Sequence, residues 1–149
     1  MAKTCIGGSS ARCESASMSE FFENKSEGCP FCDFPKDRTI AQNELAFVIR
    51  DRYPVTPLHT LVIPERHVSG WFDLGTSEMK ACNDLLLWAK DAIREEDASV
   101  AGFNVGVNIG KAAGQTIFHC HIHLIPRRHG DAENPRGGVR HVISGKGNY

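Results

Sequence analysis

Three histidines alternate with apolar residues in one short stretch of the chain, at His119, His121 and His123. Side chains two residues apart on a strand point to the same face, so a strand here would carry three imidazoles side by side. The opposite face would carry Phe118, Cys120, Ile122 and Leu124. Imidazole acts as a nucleophile, a general acid or base, or a metal ligand near neutral pH. The pattern therefore indicates a site for chemistry, and a purely structural role is the alternative.

The spacing disfavours one metal ion shared by all three rings. His119 and His123 would lie about 13 Å apart on an extended strand, whereas Zn–N bonds are only about 2.0–2.1 Å long. Two neighbouring rings could chelate one ion, but separate duties are favoured. His121 has a histidine on each side and is the candidate nucleophile. As a nucleophile, it would need one unprotonated ring nitrogen that faces the substrate. The other ring nitrogen would keep its proton, and a fixed hydrogen-bond acceptor would hold that proton in place.

The elements around this stretch follow the order strand, strand, helix, strand, strand. Short β-prone runs predict strands at residues 45–51, 59–63 and 103–109, and the histidine stretch extends a fourth over residues 115–127. A helix is predicted from a cap at Thr76 or Ser77 to about Asp97. Its apolar stripe consists of Met79, Cys82, Leu86, Ala89 and Ile93. We therefore predict an α+β fold, with an antiparallel β-sheet and one main amphipathic helix.

Composition restricts the class of protein. The 149 residues suit one domain, with 41% hydrophobic and 23% charged residues. The net charge of -1 argues against nucleic acid or an anionic membrane as a partner. The apolar runs are too short to span a bilayer. The six cysteines do not form the dense framework of a secreted disulfide domain, so we expect reduced thiols and a cytoplasmic location.

The chain divides into a leader and a single domain. Residues 1–28 are rich in Ser, Glu and Gly and lack the apolar segment of a secretion signal, so we expect a flexible leader. Met18 within it is an alternative start. Residues 29–149 would form the domain, with a polar C-terminal tail after Pro126 and a loop at residues 131–138.

Two separated motifs resemble one family. Residues 114–127, GQTIFHCHIHLIPR, closely resemble the signature of the histidine triad family, in which three histidines alternate with apolar residues. Residues 59–67, HTLVIPERH, resemble that family's strand of the form His-x-Leu-Val-Ile-Pro-x-x-His. Asp51 falls where the family usually carries an acidic ribose ligand. The resemblance covers about residues 29–128.

The resemblance implies a nucleotide-binding α+β protein, commonly a homodimer. It implies hydrolysis or transfer at the α-phosphate of a nucleoside phosphate through a nucleotidyl-histidine intermediate, with His119, His121 and His123 as the catalytic residues. His121 would attack phosphorus, and backbone near His123 would hold its far nitrogen. The His123 side chain would contact phosphate. Two-step displacement of this kind splits one difficult reaction into two easier ones.

The resemblance also assigns substrate contacts around the triad, namely Asp51, His59, Asn108, Gln115, Thr116 and Arg127. Of these, Asn108, Gln115 and Thr116 would donate hydrogen bonds to phosphate or leaving group. Asp51 would accept from the ribose hydroxyls, and Arg127 would meet a leaving polyphosphate with help from Lys111. The alternatives are a turn role for Asn108 and Asp51, and solvated charge for Arg127.

The C-x-x-C pair Cys29 and Cys32 has three interpretations. A thioredoxin-like redox motif would sit near a βαβ pattern, which the sequence lacks. A closed tetrahedral zinc site needs two more ligands, and unliganded thiols are the third interpretation. The resemblance supplies His67 and His119, and so implies one structural Zn²⁺ on these four residues, without an organic cofactor. Cys82 and Cys120 each lie in an apolar pattern and are predicted to belong to the core.

Within this resemblance, the substrate class stays open between dinucleoside polyphosphates and nucleoside phosphoramidates. The presence of Gln115, Thr116 and Arg127 favours dinucleoside polyphosphates. Two other classes compete with the nucleotidyl hydrolase or transferase: a non-catalytic nucleotide-binding module on the same fold, and a metallohydrolase that uses the histidines as catalytic ligands. The expected partners are a nucleotide and a second copy of the chain.

Overall fold

A computed structural model of the protein describes residues 25–147. Most of the predicted leader, including Met18, lies outside the described residues. Within residues 25–147, no helix is long and apolar enough to cross a membrane.

Five strands form one antiparallel sheet in the order β1-β2-β3-β5-β4. The strands are β1 Ala41–Gln42, β2 Ala46–Arg50, β3 Thr60–Pro64, β4 Gly102–Gly106 and β5 Ile122–Arg127. The single α-helix of the described residues, α1, spans Thr76–Glu96 between β3 and β4. This architecture confirms the predicted α+β class, and β1 is a short edge strand that the sequence did not reveal.

Helix α1 covers one face of the sheet. It begins after Gly75, whose N–H donates to the Glu78 carboxylate at 2.7 Å, so Gly75 takes the cap position predicted for Thr76 or Ser77. Its buried apolar stripe packs against alternate residues of the central strands, namely Val48, Val62, Ile122 and Leu124. Cys82 and Ile93 on that stripe are fully buried. The helix therefore leaves the other face of the sheet available for a site.

The opposite face is covered at one end by the segment before β1. Cys29 and Phe31 pack there against Leu61 and Ile63 of β3 and against Phe47 of β2. In the sheet register, Leu61 lies opposite His123 of β5. The segment that carries the C-x-x-C pair therefore lies beside the histidine stretch, on the face that α1 does not cover.

The prediction that the whole histidine stretch is a strand is wrong. Strand β5 begins at Ile122, so residues 115–121 precede it. Continued pairing with β3 would bring this segment opposite Pro64, which has no N–H to donate. The Cys120 N–H donates instead to the Val68 carbonyl at 2.6 Å. The three imidazoles therefore do not share one strand face.

The neighbouring predictions need smaller corrections. Strand β4 ends at Gly106 instead of residue 109, so Asn108 lies in the following loop. Phe118, predicted for the apolar face, is 42% exposed, whereas Cys120 is fully buried as predicted.

Candidate active site and metal centre

A cavity of about 1070 Å³ opens on the sheet face opposite α1. Six of the predicted site residues line it: Asp51, His59, Asn108, Thr116, His121 and His123. They come from the end of β2, the start of β3, β5 and the two loops that precede β5. The fold therefore gathers around one cavity most of the site residues that the resemblance implies.

The His121 ring is held by a backbone carbonyl. Its Nδ1 lies 2.7 Å from the His119 carbonyl oxygen. Because a carbonyl only accepts, Nδ1 carries a proton, and in the neutral ring Nε2 then has the lone pair. The acceptor was predicted near His123, and the structure corrects it to His119. His121 is buried to 7% exposure but still lines the cavity.

The His123 ring lies beside His121, with the ring centroids 5.1 Å apart. Its Nδ1 lies 3.0 Å from Nε2 of His59. Its Nε2 is buried and has no hydrogen-bond partner within residues 25–147. Burial, reinforced by the neighbouring His121 and His59, lowers the pKa of His123 to about 4. The ring is therefore neutral near pH 7, with one nitrogen that a ligand could engage.

His59 and Asp51 lie behind His123. The Val55 N–H donates to Nδ1 of His59 at 3.2 Å, and the Asp51 Oδ2 atom lies 3.6 Å from the same nitrogen. Burial lowers the pKa of His59, and the Asp51 charge opposes this shift. Asp51 also accepts the Tyr53 N–H at 2.8 Å, which fixes its carboxylate at the cavity wall.

Gln115 does not line the cavity. It is 5% exposed, its Oε1 accepts the Gly110 N–H at 2.8 Å, and its Nε2 donates to the Ser69 and Ile117 carbonyls at 2.7 and 3.0 Å. These bonds use both ends of the amide to shape the loop that carries Thr116.

Arg127 also does not line the cavity. Its guanidinium forms bonds of 2.8 and 2.7 Å to the Asp131 carboxylate and one of 2.6 Å to Asn104. Lys111 lies in the short 3₁₀ turn Lys111–Ala113, and it is not among the residues that line the cavity.

Four side chains converge at a second site: Cys29, Cys32, His67 and His119. Their ligand atoms all lie within 4.8 Å of one another. The Sγ atoms of Cys29 and Cys32 lie 3.5 and 3.6 Å from Nδ1 of His119, and Sγ of Cys32 lies 3.3 Å from Nδ1 of His67. Tetrahedral zinc with ordinary Zn–S and Zn–N bonds separates S and N ligands by about 3.5 Å. The donor set and its spacing therefore fit zinc.

The hydrogen bond at Nε2 of His119 orients this ring for metal binding. His119 is fully buried, and its Nε2–H donates to the Pro64 carbonyl at 2.8 Å. This bond leaves the Nδ1 lone pair directed at the sulfur atoms, the arrangement that metal-ligating histidines adopt. Burial lowers the pKa of His119 to about 4, so the ring is neutral and able to ligate.

The two sites share a wall at Phe31. Its ring meets the His119 ring edge-on at 5.8 Å between centroids and the His121 ring at 5.1 Å. Phe31 lies between the two cysteines in sequence and also lines the cavity. Through Phe31, the metal centre therefore lies next to the candidate nucleophile.

Sequence reasoning missed several cavity residues: Phe31, Tyr53, Asn104 and His141. Phe31 had a signal, since it lies inside the C-x-x-C pair. His141 belongs to the tail segment 135–141, for which the sequence leaves open a role as a cap of the site or in binding a second nucleotide, and it reaches the cavity through the 3₁₀ turn Gly138–Val142. Its Nε2–H donates to the Arg136 carbonyl at 2.8 Å.

Comparisons with known proteins show which family the sequence is similar to. A family model described as HIT domain matches residues 35–130. An uncharacterized 16.1 kDa HIT-like protein of Mycoplasma pneumoniae is 36% identical over 104 residues, which are 66% of this chain and 71% of that protein. The AP-4-A phosphorylase of Mycobacterium tuberculosis is 34% identical over 111 residues, which are 69% of this chain and 55% of that enzyme.

A solved structure is similar in fold as well as in sequence. The zinc-bound histidine triad family protein from Mycobacterium smegmatis is 34% identical, with a TM-score of 0.65. The similarity covers 72% of this chain and 80% of that one.

Proposed function

The chain belongs to the HIT domain family, and on that premise we propose that it is a nucleotide hydrolase or nucleotidyltransferase. The reaction is attack at the α-phosphate of a nucleoside phosphate through a nucleotidyl-histidine intermediate. One observation carries the proposal: His121 has its Nδ1 proton bound to a carbonyl and its bare Nε2 at a cavity that also holds Asp51 and His123. The similarity to an AP-4-A phosphorylase supports dinucleoside polyphosphates as first candidates and phosphoramidates as second.

His121 performs the first step. Its Nε2 lone pair forms a bond to the α-phosphorus while the bond from phosphorus to the leaving group breaks. The ring then carries a positive charge, which the His119 carbonyl stabilises through Nδ1–H. In the second step, water or another hydroxyl acceptor forms a bond to phosphorus while the N–P bond to His121 breaks, and the attacking hydroxyl loses its proton to solvent, which leaves His121 unchanged.

The remaining cavity residues bind and orient the substrate. The Asp51 carboxylate accepts from the ribose hydroxyls. Asn108 and Thr116 supply hydrogen-bond donors on the loops beside His121. Phe31 and Tyr53 give the cavity aromatic walls that suit a nucleobase. Gln115 contributes by holding the loop of Thr116.

We propose that the Cys29, Cys32, His67 and His119 site holds one structural Zn²⁺. The support is the spacing of its ligand atoms and the similarity to a zinc-bound protein of the same family. When bound, the ion would tie the segment before β1 to the loop before β5. No catalytic step requires it, because the bare Nε2 belongs to His121.

We also propose a cytoplasmic homodimer. The four described cysteines are unpaired, which suits a reducing compartment. Strand β4 is an edge of the sheet, and its Val105 side chain is 50% exposed, so this edge offers unpaired backbone and apolar surface to a second copy.

Trapping the intermediate tests the proposal. Wild-type protein is mixed briefly with diadenosine tetraphosphate or adenosine phosphoramidate, quenched and analysed by mass spectrometry under conditions that keep N–P bonds. We expect a nucleotidyl adduct that maps to His121 and is absent from His121→Ala. Nucleotide binding without adduct or turnover would favour the non-catalytic module. Turnover that persists in His121→Ala would favour the metallohydrolase.

A further inference from the structure

A line of hydrogen bonds runs behind the cavity from the backbone of Val55 through His59 to His123. We propose that the Val55 N–H, acting through His59, locks His123 in the tautomer that carries its proton on Nε2. His59 is then a positioning residue for His123 instead of a substrate contact. The chemical consequence rests on the proposed function, whereas the tautomer itself does not.

The first link fixes the proton of His59. A backbone N–H can only donate, so the 3.2 Å contact from Val55 leaves Nδ1 of His59 as an acceptor without a proton. Asp51 does not compete, since its Oδ2 lies 3.6 Å away, beyond hydrogen-bond length. Burial at 2% exposure keeps the ring neutral. The single proton of His59 therefore resides on Nε2.

The second link passes this choice to His123. The His59 Nε2–H points at Nδ1 of His123 across 3.0 Å, and only an unprotonated Nδ1 can accept it. Because His123 is also neutral, its own proton must lie on Nε2. That nitrogen is the buried atom that lacks a partner within residues 25–147. An unpaired buried N–H is costly, so it favours a bound acceptor such as a phosphate oxygen.

The result is two adjacent rings in opposite tautomers. His121 is held with its proton on Nδ1 by the His119 carbonyl, and His123 with its proton on Nε2. The cavity therefore receives a lone pair from one ring and an N–H from the other. With the other tautomer, His123 would present a lone pair to an anionic phosphate and repel it. The backbone thus assigns nucleophile and donor before any substrate arrives.

Long-range ¹H–¹⁵N correlation spectra test the tautomers directly, because they distinguish protonated from bare ring nitrogens. The sample is the full ¹⁵N-labelled, zinc-loaded chain without nucleotide. We expect Nε2–H at both His59 and His123 and Nδ1–H at His121. Nδ1–H at His123 in the wild-type protein would overturn the proposal.

Two matched variants at residue 55 test whether the Val55 N–H sets the tautomer of His123. Val55→Pro removes the backbone N–H, so His59 can turn its proton to Nδ1 and Asp51, and His123 must then carry its proton on Nδ1. Val55→Ala shortens the side chain but keeps the N–H, and its His123 spectrum should match that of the wild type. An unchanged His123 tautomer in a folded Val55→Pro variant would contradict the proposal.

A second pair at His59 does not depend on the proline variant. His59→Leu removes the donor, and we expect a mixture of His123 tautomers and a loss of kcat of about 10²-fold with little change in KM. His59→Gln keeps an N–H near the same position and should recover most of the kcat. A loss mainly in KM, or equal losses in both variants, would make His59 a substrate contact. If the wild type lacks turnover, the proposed function fails while the spectra still decide the tautomer.

Discussion

The metal centre and the cavity each bring histidines and acidic or thiol groups within 4.8 Å of one another, yet only the first is arranged for a metal. At the metal centre, the Nε2–H of His119 is directed outward to Pro64, so its lone pair faces the cysteine sulfur atoms. In the Asp51, His59 and His123 cluster, the two rings instead bond to each other. The role of a histidine is therefore set by the partner of its second nitrogen.

The two regions also differ in access. His119 is fully buried, whereas His123 and Asp51 line an open cavity. A mostly buried set of two thiols and two imidazoles suits a permanent structural ion, and an open group with one unpaired nitrogen suits a ligand that comes and goes. Breaking each region separately should therefore have distinct effects on activity, metal content and stability.

The largest effect is expected from His121→Ala. Turnover should fall by at least about 10⁴-fold, because the nucleophile is lost. Zinc content and nucleotide binding should persist, since the residue is not among the four ligands. Steady-state assays with isothermal titration of a nucleotide monophosphate measure both. His129→Ala, an exposed histidine outside the cavity, is the matched control and should keep full activity.

Removing a ligand of the metal centre should come next. Wild-type protein purified without chelator should contain about one zinc per chain, and Cys29→Ser should lose it. We expect the free energy of unfolding to fall by about 3 kcal/mol and the melting temperature by about 10 °C. Cys82→Ser, at a buried cysteine outside the cluster, should keep its zinc whatever its stability. Well under one zinc per wild-type chain would contradict the assignment.

A smaller effect is expected where the two regions meet. Phe31→Ala removes the edge-on ring contacts to His119 and His121, each worth about 0.5–1.5 kcal/mol in aromatic pairs. We expect kcat to fall by up to about tenfold while zinc content stays at one per chain. Phe31→Leu fills the space without the ring and separates packing from the aromatic contact. Loss of zinc in Phe31→Ala with an unchanged kcat would show that Phe31 serves the metal centre alone.

The sequence predicted what depends on local pattern. The apolar stripe of α1 and the β-prone runs of β2 and β3 follow from periodicity and composition, so their existence and type are confirmed. The C-x-x-C pair and the resemblance predicted a four-residue cluster that the structure brings within 4.8 Å. The stripe and the cysteine pair follow from spacing along the chain, whereas His67 lies 35 residues from Cys32 and His119 lies 90 residues from Cys29, so these two ligands came from the resemblance.

What failed depends on distant partners. Strand β5 begins later than predicted because the preceding residues would pair with Pro64 of β3. The sequence of the histidine stretch does not reveal this partner. The amide of Gln115 forms hydrogen bonds with the backbone of Gly110 and Ser69, and the sequence does not reveal these contacts. His141 joins the cavity because the tail folds back, and the sequence of the tail left open whether it caps the site.

The smallest effect is the pH dependence of stability that His123 contributes at the cavity. The pKa of His123 falls from 6.5 in the unfolded chain to about 4 in the folded one. Between those values the unfolded chain binds the extra proton and the folded chain does not, so stability falls as the pH drops from 6.5 to 4. Because the ring is partly accessible, we expect a contribution of about 1–2 kcal/mol. Urea unfolding at pH 7 and pH 4.5 measures it, and His123→Asn should show the smaller decrease. Equal decreases in both proteins would mean that the folded cavity accepts a charged His123.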